Sequence, residues 1–167
     1  MTTNPLLERC GMTAVDDRVA TFRSLHSSGC FVMPNPWDAG SAKALEQMGF
    51  KALATTSAGL AWTLGRADDQ VNLHQTLAHL RVVVETVAVP VNADFKDGYA
   101  VEPVGVKANV ASAVATGIAG LSIEDSTGDE ADPLFDFELA VERIRAAREA
   151  IDESGTGVVL TGRSEGF

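Results

Sequence analysis

The strongest constraint on this chain is an alternation. Short apolar runs, each too brief for a helix and bounded by Gly or Pro, recur between longer segments of helical periodicity. The runs are Cys30–Met33, stopped by Pro34-Asn35-Pro36, then Ala52–Thr55, the part of Val87–Ala93 that follows Pro90, Leu121–Ile123 and Val158–Leu160. Each reads as a buried strand. Between them, Leu73, Leu77, Leu80, Val84 and Val87 form one stripe of period near 3.6, and Val106, Val110 and Val114 form a second. Phe137, Val141, Ile144 and Ile151 form a third, with Asp136 placed as its N-cap. A shorter helix is expected from about Gly40 to Met48, with Asp38 before it and Gly49 ending it.

An order βαβαβαβαβ demands a parallel sheet with crossover helices. The strand starts lie on the order of 30 residues apart, the length of one βα unit. Residues 1–28 read as an N-terminal lead, helical around Val15–Leu25, and nothing in 1–167 resembles a linker, so one domain is expected. Periodicity alone leaves two architectures open: a doubly wound sheet, or the first part of a (β/α)8 barrel.

Charge narrows the partners. Thirteen Lys and Arg against 23 Asp and Glu give a net charge of −10. That balance excludes sequence-independent nucleic-acid binding and docking on anionic membranes, both of which need cationic surface. No stretch approaches the roughly 20 apolar residues of a membrane span. The N-terminus lacks a basic segment followed by an apolar run, so a cytoplasmic location is expected. The two cysteines, Cys10 and Cys30, have no zinc-ligand spacing and read as reduced thiols rather than a disulfide.

Polar residues collect just after the strands. Asn35-Pro36-Trp37-Asp38 follows the first, Thr55–Gly59 the second, Asn92, Asp94 and Asp97 end the third, Glu124-Asp125 the fourth, and Arg163 and Glu165 the fifth. In parallel α/β folds these C-terminal ends converge on the site. Carboxylates arriving there from different strands suit a hard divalent cation such as Mg2+. Asp38 and Asp136 are equally explained as helix caps. That explanation fits Asp94 and Glu124 less well, because they sit directly on strand ends rather than at helix starts, and for them capping or loop roles and metal binding both stay open. His26, His74 and His79 are scattered and read as surface or boundary residues.

The segments Pro34–Ala42, Ala54–Ala61, Pro90–Asp94 with Asp97-Gly98-Tyr99, Ala119–Ser126 and Gly162–Phe167 together resemble, in order, five motifs of the isocitrate lyase/phosphoenolpyruvate mutase superfamily. The resemblance implies an α/β fold of (β/α)8 TIM-barrel type. It also implies an Mg2+-dependent enzyme acting on a small 2-oxo or 2-hydroxy carboxylic acid through an enolate-like intermediate, with cleavage or formation of a C–C or P–C bond. It implies Asp94 and Glu124 as metal-binding acids and Asp68 as a catalytic aspartate on the loop after the second strand. Arg163 becomes a catalytic arginine facing an anionic group. Trp37, Asp38, Thr56, Ser57, Ala58, Gly59 and Asn92 become substrate-binding positions.

Departures from the pattern are informative. Asn92 stands where many members have Asp, and Lys96 where related sequences have Glu. The Lys96 side chain is expected to turn away from the site. Ser126–Pro133 has no Cys, His or Lys, so neither the lyase nor the mutase loop signature is present. The 167 residues are about a third fewer than the roughly 250 of a complete barrel. A C-terminally truncated member with the first five strands is therefore expected, associating as a homo-oligomer. The alternative is a catalytically incomplete fragment acting at most as an associating half-barrel.

Overall fold

The computed structural model describes residues 14–166. Cys10 and the first 13 residues of the expected lead lie outside them. Six helices and four strands are present among the described residues: α1 (Ala14–Leu25), α2 (Ala39–Gln47), β1 (Leu53–Ala54), α3 (Ser57–Thr63), α4 (Leu73–Thr86), β2 (Val91–Asp94), α5 (Pro103–Val114), β3 (Gly120–Glu124), α6 (Phe137–Ser154) and β4 (Val159–Arg163). A single 3-10 turn covers Asp68–Gln70. The strands are all parallel and pair in chain order, β1-β2-β3-β4. A doubly wound sheet reverses its strand order at a switch point. Sequential order without reversal is the arrangement of a (β/α) barrel wall, so the chain forms a partial barrel.

The expected first strand is not formed. Cys30–Met33 runs outside any strand, with Cys30 exposed. Only one backbone hydrogen bond ties this segment to β1, from Ala54 N to Pro34 O at 3.1 Å. The Asn35 side-chain amide replaces a second, donating to Ala54 O at 3.0 Å. Pro34 and Pro36 lack the N–H groups a ladder requires, so the run lies beside the sheet without joining it. The sheet therefore has four strands instead of five. A second difference concerns Ser57–Thr63, read as a strand-following loop but folded as α3, with the Thr56 side chain accepting from Gly59 N.

Capping explains most helix boundaries. Asp38 caps α2 in a reciprocal box with Ser41, and Asn72 caps α4 in one with Gln75. The Asp136 side chain accepts from Glu138 N at the start of α6, and Gly155, at φ 67°, ends that helix in the left-handed conformation.

Register decides which residues meet. Asn92 pairs with Gly120, and Asp94 with Ser122; Gly120 pairs with Val159, Ser122 with Thr161, and Glu124 with Arg163. Strand side chains alternate between faces, so Asn92, Asp94, Gly120, Ser122, Glu124, Thr161 and Arg163 share one face. Val91, Ala93, Leu121 and Ile123 take the other and are buried in the main core with Leu80, Val83, Val106, Val110 and Ile151. Near the N-terminal end of the first face lies the fully buried Phe22 of α1. It reaches Gly120 so closely that a Cβ there would stand 2.5 Å from its Cε1 and 2.6 Å from Asn92 Oδ1.

Helix α6 departs from its expected stripe. Phe137 is exposed, and Val141 and Ile144 are half-buried beside a cavity of about 370 Å3 along β4. The buried face is instead Arg143, Ala146, Ala147, Ala150 and Ile151. The small alanines let α6 lie close, and Arg143 stacks 3.8 Å above the Phe135 ring.

Truncating Phe22 to Ala is expected to cost about 3–5 kcal/mol through the cavity it leaves. Gly120→Ala is expected to cost about 1–3 kcal/mol by overpacking against the same ring. Urea unfolding of the two variants checks both figures, and a neutral Gly120→Ala would contradict the close approach.

Candidate active site

The C-terminal ends of β2, β3 and β4 bring three of the expected residues together. Arg163 Nη1 lies 3.0 Å from Glu124 Oε1 and 3.8 Å from Asp94 Oδ1, while its Nε reaches Glu165 Oε1 at 2.5 Å. The pairing follows directly from register, because Glu124 and Arg163 are opposite residues of adjacent strands. Asp94 is held from the other side. Its backbone N–H donates to Thr55 Oγ1 at 3.0 Å, and its Oδ2 accepts from Ser57 N at 2.8 Å. Its Oδ1 is buried and has no hydrogen-bond partner. Burial pushes the Glu124 carboxyl above the ordinary carboxylate range, the charge of Asp94 adds to this, and Arg163 pulls the other way.

Asp68 joins the cluster from the loop after α3. Its Oδ2 accepts from Ser57 Oγ at 3.4 Å, and its backbone carbonyl accepts from Lys96 Nζ at 3.2 Å. Lys96 Nζ also lies 3.8 Å from Asp68 Oδ1. The expectation that Lys96 turns away is thus corrected. Its backbone is left-handed, φ 49°, and its carbonyl accepts from Glu124 N at 2.8 Å. That local twist keeps the side chain at the site.

The remaining expected residues have different surroundings. Thr56, Ser57, Ala58 and Gly59 form the start of α3, where Ser57 N already serves Asp94 and Gly59 N serves Thr56 Oγ1 at 3.3 Å. Trp37 lies over this segment, since a Cβ on Gly59 would stand 2.5 Å from its Cδ1, and it makes an edge-to-face pair with Trp62 at 5.2 Å. Asn92 is buried one residue pair deeper than Asp94, beside Gly120. Asp38 is engaged as the α2 cap, its Oδ1 accepting from Ser41 N at 2.7 Å. That hydrogen bond, then the Ser41 hydroxyl, hold its carboxyl below the usual range.

The sequence reading missed Arg143. It lies in helix α6, at a position no motif marks, and donates to the carbonyls of Asp97, Ala100 and Val101. Asn109 takes the two between, donating to Gly98 O at 2.9 Å and Tyr99 O at 3.2 Å. Every carbonyl from 97 to 101 is therefore fixed, including that of Tyr99, whose φ is 57°. Tyr99 itself is pushed up to about 12 by burial, with its hydroxyl 2.7 Å from Thr76 Oγ1. Its one mark in the sequence is a charge among small apolar residues, Ala140, Ala146 and Ala147, on the same helix face.

Two carboxylates on one barrel-facing surface, one with an orphaned buried oxygen, fit a Mg2+ ion, which keeps several waters and takes only one or two protein carboxylates. Among the described residues no group of three or more His, Cys, Asp or Glu side chains is placed to enclose a metal. A closed, all-protein cage is therefore not what this arrangement offers.

A family profile for phosphoenolpyruvate phosphomutase matches residues 22–167. The chain belongs to the phosphoenolpyruvate phosphomutase family. An uncharacterised protein of Mycobacterium tuberculosis (strain H37Rv) is 35% identical over 130 residues, covering 77% of this chain and 48% of that protein. A Burkholderia cenocepacia structure assigned to the lyase/mutase group superposes with a TM-score of 0.89 at 38% identity, covering 92% of this chain and 56% of the other. 2,3-Dimethylmalate lyase, a member of the phosphoenolpyruvate mutase/isocitrate lyase superfamily, superposes at 0.80 with 29% identity, covering 93% and 54%. Phosphonopyruvate hydrolase, solved with oxalate and Mg2+, superposes at 0.81 with 25% identity, covering 92% and 53%. The chain thus spans about half the length of the curated relatives it matches. Its family is one of lyases, mutases and hydrolases, and no helix among the described residues is long and apolar enough to cross a membrane.

His79, in α4 near the Asp38 cap, provides a pH test of the fold. Burial lowers its pKa below 6.5, opposed by the nearby Asp38 carboxylate, and its Nε2 is buried without a partner. A lowered folded value means the unfolded chain takes up the proton first as pH falls. Stability contributed by neutral His79 is therefore present above about pH 6.5 and is lost as pH falls through the folded value. His79→Gln is expected to flatten the stability-pH curve below pH 6.5 relative to the parent, read by urea unfolding at several pH values.

Proposed function

We propose that the protein acts with Mg2+ on a small 2-oxo or 2-hydroxy carboxylic acid, cleaving or forming a C–C or P–C bond next to an enolate-like centre. The observation that carries this is the convergence of Asp94 and Glu124 on one face, both within reach of a single Arg163 nitrogen, at 3.8 and 3.0 Å. Family membership supports the reaction class, and the relative solved with oxalate and Mg2+ supports the ligand class.

In this reading Asp94 and Glu124 hold the metal, Asp94 through the oxygen left without a hydrogen bond. A bound divalent cation supplies Lewis-acid stabilisation of negative charge developing on the oxo oxygen. Arg163, half-exposed and paired with Glu124 and Glu165, meets an anionic group of the substrate, where its planar fork gives bidentate geometry. Thr56–Gly59 lines the carboxylate end, with Ser57 Oγ as a donor and Trp37 as the covering aromatic face. Asp68 stands beside the reacting atoms, and Asp38 acts through the placement of α2 and Trp37. Asn92, neutral and deep, shapes the floor without adding charge. The residues 126–133 bring no Cys, His or Lys, so the proposal stops at the reaction class. A cytoplasmic homo-oligomer is part of the same proposal.

Lyase and proton-exchange assays on pyruvate, oxaloacetate and methylisocitrate-type acids, with and without Mg2+, test the reading. Asp94→Asn and Glu124→Gln are each expected to lower kcat/KM by about a hundredfold or more, the scale of losing one stabilising group at a developing charge. Turnover independent of both Mg2+ and these carboxylates would overturn it. Size-exclusion chromatography tests association.

A further inference from the structure

Three observations converge on Lys96. Its backbone occupies the left-handed region at φ 49°, which costs an ordinary side chain energy and is kept only where the surroundings require it. Its carbonyl accepts from Glu124 N at 2.8 Å, binding it to the end of β3. Its Nζ donates to Asp68 O at 3.2 Å and lies 3.8 Å from Asp68 Oδ1.

The two sides of this bridge differ in rigidity. The side that carries Lys96 is fixed, because Arg143 and Asn109 take every carbonyl from 97 to 101. The side that carries Asp68 is not part of the main core. Leu60, Ala61 and Val71 form a small separate cluster beneath the loop. Few buried apolar contacts make such a unit inexpensive to open. Apart from Lys96, Asp68 is tied to the site by a 3.4 Å hydrogen bond from Ser57, which belongs to the same lobe.

We infer that Lys96 is a positioning residue that clamps the Asp68 loop over the Asp94–Glu124 pair. Its backbone anchors to Glu124 and its ammonium holds Asp68 by carbonyl and carboxylate together. The role of Asp68 in the chemistry rests on the function proposed above; the clamp rests on the geometry alone.

Cleavage after Arg66 by an arginine-specific protease, on the full chain well below its unfolding transition and followed by mass spectrometry, reads the loop directly. Lys96→Met is expected to raise the rate at that bond about tenfold. Lys96→Gly, which relieves the left-handed backbone while deleting the ammonium, is expected to do the same without loss of global stability. Lys96→Arg is expected to restore slow cleavage. Equal rates in the parent, Lys96→Met and Lys96→Gly, or no rescue by Lys96→Arg, would overturn the clamp. Calorimetry with oxalate and Mg2+ adds a second readout. Affinity severalfold weaker in Lys96→Met and Lys96→Gly, and recovered in Lys96→Arg, supports positioning of the site. Affinity unchanged in all variants counts against it. Binding to none of the proteins, the parent included, sinks the oxo-acid reading while cleavage at Arg66 still decides the clamp.

Discussion

The register between β3 and β4 is the constraint on which the site depends. Glu124 and Arg163 are directly opposed residues, and the period of two along each strand carries Asp94 onto the same face one strand away. A slip of one residue in either ladder would send a carboxylate or the guanidinium into the helix layer. There it would replace Leu121 or Ile123 in a packed apolar core, at a cost no local contact offsets. The apolar face and the charged face thus specify each other. Leu121 and Ile123 are buried in the apolar core, while Glu124 on the opposite face is only partly buried.

That mutual specification explains why the sheet was legible in the sequence. Ala52–Thr55, Val91–Ala93, Leu121–Ile123 and Val158–Leu160 are apolar runs with polar ends, and all four overlap strands of the sheet. The fifth run failed because a run's apolar character reports burial while its hydrogen bonding depends on neighbours. Cys30–Met33 leads into two prolines, and the chain there borrows the Asn35 side chain for a bond the backbone does not make. Helix α3 was hidden for a related reason. Thr56-Ser57-Ala58-Gly59 has the composition of a loop, and its helical start depends on Asp94, 37 residues away, accepting from Ser57 N. A long-range partner cannot be read from local pattern.

The candidate site was partly legible. Strand-end position separated Asp94 and Glu124 from Asp38 and Asp136, and the structure places the first pair together while using the second pair as caps. What remained hidden was the electrostatic frame. Arg143 interrupts an apolar stripe, which by pattern alone reads as a polar edge. Its burial follows from a loop whose consecutive carbonyls need donors that no strand or helix supplies. A guanidinium satisfies several of these at once and stacks on Phe135, so the cost of burying its charge is offset by hydrogen bonds to fixed dipoles.

The same accounting bears on the balance of charge within the site. Asp94, Glu124 and Asp68 face Arg163 and Lys96, and the neutral Asn92 occupies the deepest polar position on that face. A carboxylate in place of Asn92 would lie beside Phe22 and Gly120, and it would face the Ala93 carbonyl, which accepts from the Asn92 amide at 3.4 Å and has no proton to give a carboxylate. It would be a buried charge without a partner, which proteins avoid or neutralise. An amide there keeps the floor polar without that penalty. Each cation in turn sits where carboxylates come from different elements. Arg163 joins β2 to β3, and Lys96 joins β2 and β3 to the loop beyond α3. The cations add to the links that Thr55 and Ser57 already make to Asp94 and Asp68, and a divalent ion entering this face would meet carboxylates already brought together by Arg163.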